Sequence, residues 1–191
     1  MYGVTQGFAV FTTESARRLS VQNQPIVLSD ANLTDSANNK NDLLDRLKSD
    51  GRVAIVNFIY TRCPYVCVTM GLEFQELQQL ITDREVQDKV RLVSISFDPR
   101  DTPDWLQRYQ KRMGSNTNVW QTWLAAEADQ RTNLLNDFGI VVIPAPLGQY
   151  EHNTAYHIVT PQGELVRIVD IGEPEQALQL ALWYQDGGGN E

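Results

Sequence analysis

The chain has two cysteines, four residues apart, in the run Tyr60-Thr61-Arg62-Cys63-Pro64-Tyr65-Val66-Cys67. They follow a stretch of apolar residues and open what reads as a long helix, on which positions four apart lie one above the other on a single face. Two sulfurs placed that way can close a disulfide or hold one soft metal ion, and the spacing admits both. Cys63 is expected in the loop leaving the strand, at or just before the helix N-terminus, with Cys67 inside the first turn. The unpaired N–H groups and the helix dipole there favour a thiolate, which is both the nucleophile and the metal ligand. Pro64 suits the first helical position, where its missing N–H costs nothing. A purely structural bridge is the plain alternative. Closing a loop this short gives roughly 2 kcal/mol in the chain-entropy model, less than a long loop would give.

Two sulfurs leave a metal under-coordinated, and the sequence holds two histidines, His152 and His157. Two thiolates and a neutral imidazole suit copper, whose cuprous form soft sulfur ligands select. His152 precedes a strand predicted over Thr154 to Thr160, as a loop side chain able to reach the sheet edge that bears Cys63. His157 lies within that strand and reads as an ordinary hydrogen-bonded strand histidine. Met70, three residues after Cys67, has a thioether that can bind cuprous copper, but it shares an apolar stripe with Phe74 and Leu77 and reads as core.

The elements that must position these residues follow from periodicity. Val53 to Ile59 is nearly apolar throughout, as a strand covered on both faces should be. Met70, Phe74, Leu77 and Ile81 recur with helical period, predicting a helix from about Pro64 to Asp83. Val90 to Phe97 is the next buried strand, and Thr102-Pro103 starts a helix that runs toward Met113, with Gly114 to end it. Strands are predicted at Pro25 to Ser29, Trp120 to Leu124, Ile140 to Ile143 and Glu164 to Val169, the last paired through Pro161-Gln162-Gly163. Helices are predicted around Leu43 to Leu47 (stopped by Gly51), over Ala128 to Phe138, and from Pro174 through Trp183. Asn32 to Lys40 reads as a polar loop. The alternation describes an α/β sandwich of thioredoxin type, a mixed sheet with helices on both faces.

Composition narrows the classes of function. A chain of 191 residues, 42% hydrophobic and 21% charged, is globular and large enough to bury a core. A formal net charge of −8 argues against nucleic-acid binding, which needs clustered Lys and Arg. No run approaches the ~20 apolar residues of a membrane span. Met1 to Val10 has no basic flank and no continuous apolar core, so it is not a signal peptide. Phe8, Val10 and Phe11, in the polar stretch through Gln24, are candidates for an extra strand or an interaction arm.

These residues resemble the Sco (SenC) family of thioredoxin-fold copper-handling proteins. Val56-Asn57-Phe58-Ile59-Tyr60-Thr61-Arg62-Cys63-Pro64 with Cys67 is similar to its aromatic, Thr and Cys-Pro-x-x-Cys signature. Ser94-Ile95-Ser96-Phe97-Asp98-Pro99-Arg100-Asp101-Thr102-Pro103 looks like its strand and the Asp-Pro and Asp-Thr-Pro loop that follows. His152 stands nine residues before Pro161 of a Pro-x-Gly hairpin, as the family's metal-binding His does. The resemblance spans roughly Ile26 to Leu182. It implies that Cys63, Cys67 and His152 are copper ligands, with a β-hairpin near the metal site. It also divides the chain into an N-terminal extension (1–24), a thioredoxin-like Sco domain (25–185) and a flexible tail (186–191). The implied recipient is the dinuclear CuA site of cytochrome c oxidase subunit II, whose cysteines the family can also reduce, or another copper or dithiol protein. The implied location is the periplasmic face of the bacterial inner membrane or the mitochondrial intermembrane space, with a membrane anchor missing from this chain.

The chain departs from the family at Tyr65, where Asp is usual, at Val68, where Pro is frequent, and at Asn153, where Ser or Thr is common. A carboxylate beside the thiols is thereby lost, which bears on metal affinity and redox balance. Asp98 and Asp101 either stand behind the ligands or, more simply, end a strand and cap the next helix. Two functions fit: a copper metallochaperone, and a thiol-disulfide oxidoreductase or redox sensor in which Cys63 attacks a partner disulfide and Cys67 resolves it. Three residues between the cysteines, rather than the two of thioredoxin, weigh against simple reductase work. A peroxiredoxin fails because Thr61 lies two residues before Cys63 rather than three.

Overall fold

The computed structural model describes residues 4–62 and 66–188, with side chains over 14–62 and 70–188. In chain order the elements are α1 (Val4–Asn23), β1 (Ile26–Val27), β2 (Asn32–Asp35), β3 (Lys40–Asp42), α2 (Leu43–Asp50), β4 (Val53–Ile59), α3 (Val66–Asp83), β5 (Val90–Ser96), α4 (Pro103–Met113), β6 (Trp120–Ala125), α5 (Ala128–Phe138), β7 (Val142–Ala145), β8 (Gln149–His152), β9 (Tyr156–Val159), β10 (Glu164–Val169) and α6 (Pro174–Gln185).

All seven residues of β4 and all seven of β5 are buried, and the two strands pair in parallel from Val53 opposite Val90 to Ile59 opposite Ser96. β6 continues the parallel set beyond β5, whereas β9 lies antiparallel on the other side of β4 and turns back into β10. The full order is β1-β10-β9-β4-β5-β6-β2-β3. This is the mixed, helix-flanked sheet of a thioredoxin-like fold. Phe74 of α3 and Trp120 of β6 meet in the core, with Tyr109 of α4 edge-on to the same indole.

Local chemistry explains the boundaries. Gly51 ends α2 and Gly114 ends α4, both in the left-handed region that Cβ-bearing residues avoid. Pro103 opens α4, and the Thr102 hydroxyl accepts the Trp105 N–H at 3.4 Å.

Three expectations are corrected. Residues 4–23 form a helix, not a strand; α1 docks on β10 through buried Val21 and the Arg18–Asp170 ion pair, and Arg17 reaches the Asp137 carbonyl. Asn32 to Lys40 is not a loop but the hairpin β2–β3. Asp35 closes it by accepting the N–H groups of Ala37 and Asn39, which lets a polar sequence turn tightly. The strand expected at Ile140 to Ile143 is β7, shifted to Val142–Ala145, and it pairs with β8 in a separate two-stranded ribbon.

Candidate metal centre

The parallel register of β4 and β5 ends with Phe97 donating its N–H to the Ile59 carbonyl at 3.0 Å, so Tyr60 and Phe97 emerge side by side, ring centroids 5.6 Å apart. Both chains then turn away from the sheet, one toward Cys63 and the other toward α4. A single buried carboxylate ties them together. Asp101 accepts the Thr61 N–H at 2.8 Å, the Thr61 hydroxyl at 2.6 Å and the Ser96 hydroxyl at 2.6 Å. An ionised carboxylate accepts only, so three donors converging on it make a strong, directional clamp. Arg62 adds a bond to the Arg100 carbonyl at 2.8 Å and lies over the Trp105 ring. The chain is thus held up to the residue before Cys63. Thr102 caps α4 as expected, whereas Asp101 turns its carboxylate inward, under the loop that leads to the cysteines.

Cys63 lies outside the described residues. Cys67 is placed by its backbone alone, in the first turn of α3, as the spacing requires.

His152 is the last residue of β8, opposite Val142, rather than part of a loop before β9. Its ring packs against Phe97 at 5.0 Å and Tyr60 at 6.2 Å, the two residues at the ends of β5 and β4. Its Nδ1 is 3.0 Å from the Asn153 carbonyl. A carbonyl only accepts, so in a neutral ring this contact puts the proton on Nδ1 and the lone pair on Nε2, one of the two nitrogens through which an imidazole binds a metal. Asn153 uses both ends of its amide: Oδ1 accepts the Val141 N–H at 2.8 Å and Nδ2 donates to the Gly139 carbonyl at 3.0 Å. A Ser or Thr there has no such reach, and the amide braces the base of the β7–β8 ribbon.

The ribbon is also pinned along its length. The Tyr60 hydroxyl meets Gln149 Oε1 at 3.1 Å and the Tyr150 carbonyl at 3.2 Å. Arg100 lies over the Tyr150 ring and donates to the Gly148 carbonyl at 2.7 Å. Asp98, 3% exposed, holds Arg100 by its Nε and Nη2 nitrogens. Burial alone would raise the Asp98 carboxyl; the hydrogen bonds from Arg100 outweigh it and keep the group below the usual carboxylate range. Tyr60 and Arg100 escape sequence reading as positioning groups, because nothing in their type or spacing announces a tie to a distant hairpin.

The other two candidates fall out of the site. His157 is 1% exposed, its Nδ1 is 3.2 Å from the Val56 carbonyl, and its ring packs on Phe138. Burial holds its pKa down to about 3, against the opposing pull of that hydrogen bond. Met70, 1% exposed, belongs to the core.

The SCO1/SenC family model matches residues 32–182. The chain belongs to the SCO1/SenC family. A SCO1 protein homolog of Bacillus subtilis is 27% identical over 131 residues, 67% of this chain, and the match spans about two thirds (66%) of that protein's length. Among solved structures, BsSco, a Sco-family member described as a cytochrome c oxidase assembly protein with a disulfide switch, superposes with a TM-score of 0.73. It is 19% identical, over 86% of this chain and 96% of its own. Yeast Sco1 with copper bound gives a TM-score of 0.68 at 17% identity, over 87% and 92% of the two chains. At these identities the two structures establish the fold.

Proposed function

We propose that this chain carries copper on the sulfurs of Cys63 and Cys67 and on Nε2 of His152, and delivers it to the CuA site of cytochrome c oxidase subunit II. The observation that carries this reading is the seat of His152. Its imidazole rests on Tyr60 and Phe97, beside the loop that runs through Thr61 and Arg62 into Cys63, with Nδ1 turned to a carbonyl. Two thiolates and one imidazole are a soft, low-coordinate donor set that fits cuprous copper. Delivery is a ligand exchange: an acceptor thiolate bonds to the metal as one Cys–copper bond breaks, with no change in oxidation state. Family membership and copper-bound yeast Sco1 support the cargo. The domain works where that recipient lies, at the periplasmic face of the bacterial inner membrane or in the mitochondrial intermembrane space.

The disulfide switch of BsSco favours a second role for the same pair. Cys63 and Cys67 reduce a disulfide in the recipient. Its two sulfurs take two electrons and two protons from the thiols, which become a disulfide and lose their hold on copper.

The test is to load the reduced protein with copper, remove the excess, and compare wild type with His152→Ala. One copper per chain, with cupric sulfur-to-copper charge-transfer bands that weaken in the variant, is expected. Identical metal content and spectra in the two proteins would overturn the role of His152.

A further inference from the structure

We infer that Arg100, gripped by the buried carboxylate of Asp98, is the positioning residue that sets where the β7–β8 hairpin holds the His152 imidazole. The inference rests on reading His152 as a copper ligand. The hairpin stands apart from the eight-stranded sheet, as a ribbon of two four-residue strands. Such a ribbon is marginal on its own in water, so its place over Tyr60 and Phe97 depends on tertiary ties. Asn153 supplies one at the base and the Tyr60 hydroxyl one in the middle. At the tip the tie is Arg100.

The tip itself shows that the tie matters. Leu147 and Gly148 both take left-handed backbone angles, φ 60° and 70°. Leu147 is 97% exposed, so its own packing returns nothing for a conformation that residues with a Cβ avoid. This turn is the one that aims the Gly148 carbonyl at Arg100. A Cβ on Gly148 would come within 2.8 Å of an Arg100 nitrogen, so the guanidinium lies flush against the turn. From below, Asp98 takes the Arg100 backbone N–H at 2.9 Å and its Nε at 2.8 Å. Asp98 directly follows Phe97, on which the His152 ring rests. The chain Phe97–Asp98–Arg100–Gly148 therefore sets the spacing between the hairpin and the end of β5. A lysine could pair with Asp98 but cannot span the carboxylate and reach the carbonyl with one rigid planar group.

One variant tests this without stranding the buried carboxylate. Arg100→Lys keeps a cation over Asp98 but cannot reach both the carboxylate and the Gly148 carbonyl. In the metal-free protein Arg100→Lys should speed amide hydrogen exchange over Gln149 to His152 about tenfold, the scale of a lost charge-assisted bond, while β4 amides stay protected. The second readout is a cycle of cuprous affinities with His152→Ala. Arg100→Lys should weaken binding about 10–100-fold when His152 is present and have no effect when it is absent. Unchanged exchange, or an equal loss of affinity in both backgrounds, would overturn the inference. Failure of the ligand reading looks different: His152→Ala would then bind copper as wild type does, and the positioning role would fall with it.

Discussion

His152 and His157 stand five residues apart and meet opposite fates. His152 ends a hairpin strand with its Nδ1 on a neighbouring carbonyl, whereas His157 is sealed between Phe58 and Phe138. Burial removes the water that would solvate an imidazolium, and one carbonyl cannot replace it, so the His157 pKa falls to about 3. The unfolded chain, with an ordinary value of ~6.5, takes up that proton first as the pH drops. Stability from His157 is therefore complete above about pH 6.5 and is lost progressively as the pH falls toward 3, at a limiting slope of about 1.4 kcal/mol per pH unit. The depressed carboxyls of Asp35, Asp50, Asp98 and Asp170 make their own loss mainly as the pH falls through the ordinary aspartate value, so the window from about pH 4.5 to 6.5 is dominated by the histidine. Urea unfolding should show a fall of about 2–3 kcal/mol between pH 7 and 4.5, absent in His157→Gln. An equal fall in the variant would assign the loss to another group.

At the scale of elements, Asp101 does what no single strand or helix can: it joins the end of β4, the end of β5 and the start of α4 through one carboxylate. Asp101→Ala strands the Thr61 N–H and two hydroxyls in a buried junction, and should cost about 3 kcal/mol of unfolding free energy. Asp101→Asn should cost less, because its amide can donate to a Thr61 hydroxyl that reverses its own bond. If the alanine variant unfolds at the wild-type denaturant concentration, the junction is not held this way. Such junctions also mark where sequence reading stops. β4 and β5 are legible because strands covered on both faces must be apolar along their length, and α4 because Thr102, Pro103 and Gly114 each act locally. The cysteine pair and His152 stand out because the chain has so few residues of those types. β8 is not legible: of Gln149 to His152 only Tyr150 is a large apolar side chain packed on the core, so no apolar alternation marks the strand. α1 hides for the same reason, since Val21 is its only fully buried side chain among those described. The Asp98–Arg100 tie joins residues 98–100 to residue 148, and no local pattern encodes it.

For the molecule as a whole, a net charge of −8 suggests that anions are repelled, yet in salt the charges nearest the cysteines should govern approach to them. At 0.1 M salt charges beyond about 10 Å are screened, so most of the carboxylates cannot act there. Three cations can. Arg62 directly precedes Cys63 and, with Arg108, lies against the Trp105 ring, while Arg112 reaches the Thr61 carbonyl. None of the three has an ion pair among the described residues; Asp98 is paired with Arg100, and the Asp101 carboxylate, held by neutral donors alone, is the nearest opposing charge. Three cations against one such carboxylate should draw an anionic reagent toward the segment that leads into Cys63. A dianionic aromatic disulfide should react with the reduced protein faster than its neutral analogue of matched reactivity. Arg108→Glu should slow the dianion on the order of threefold, leaving the neutral reagent unchanged, and 0.5 M salt should erase the difference. Equal slowing of both reagents would point to a structural change in the loop. No slowing of either would mean that the long-range field of the acidic surface, rather than the arginines, governs approach to the thiols.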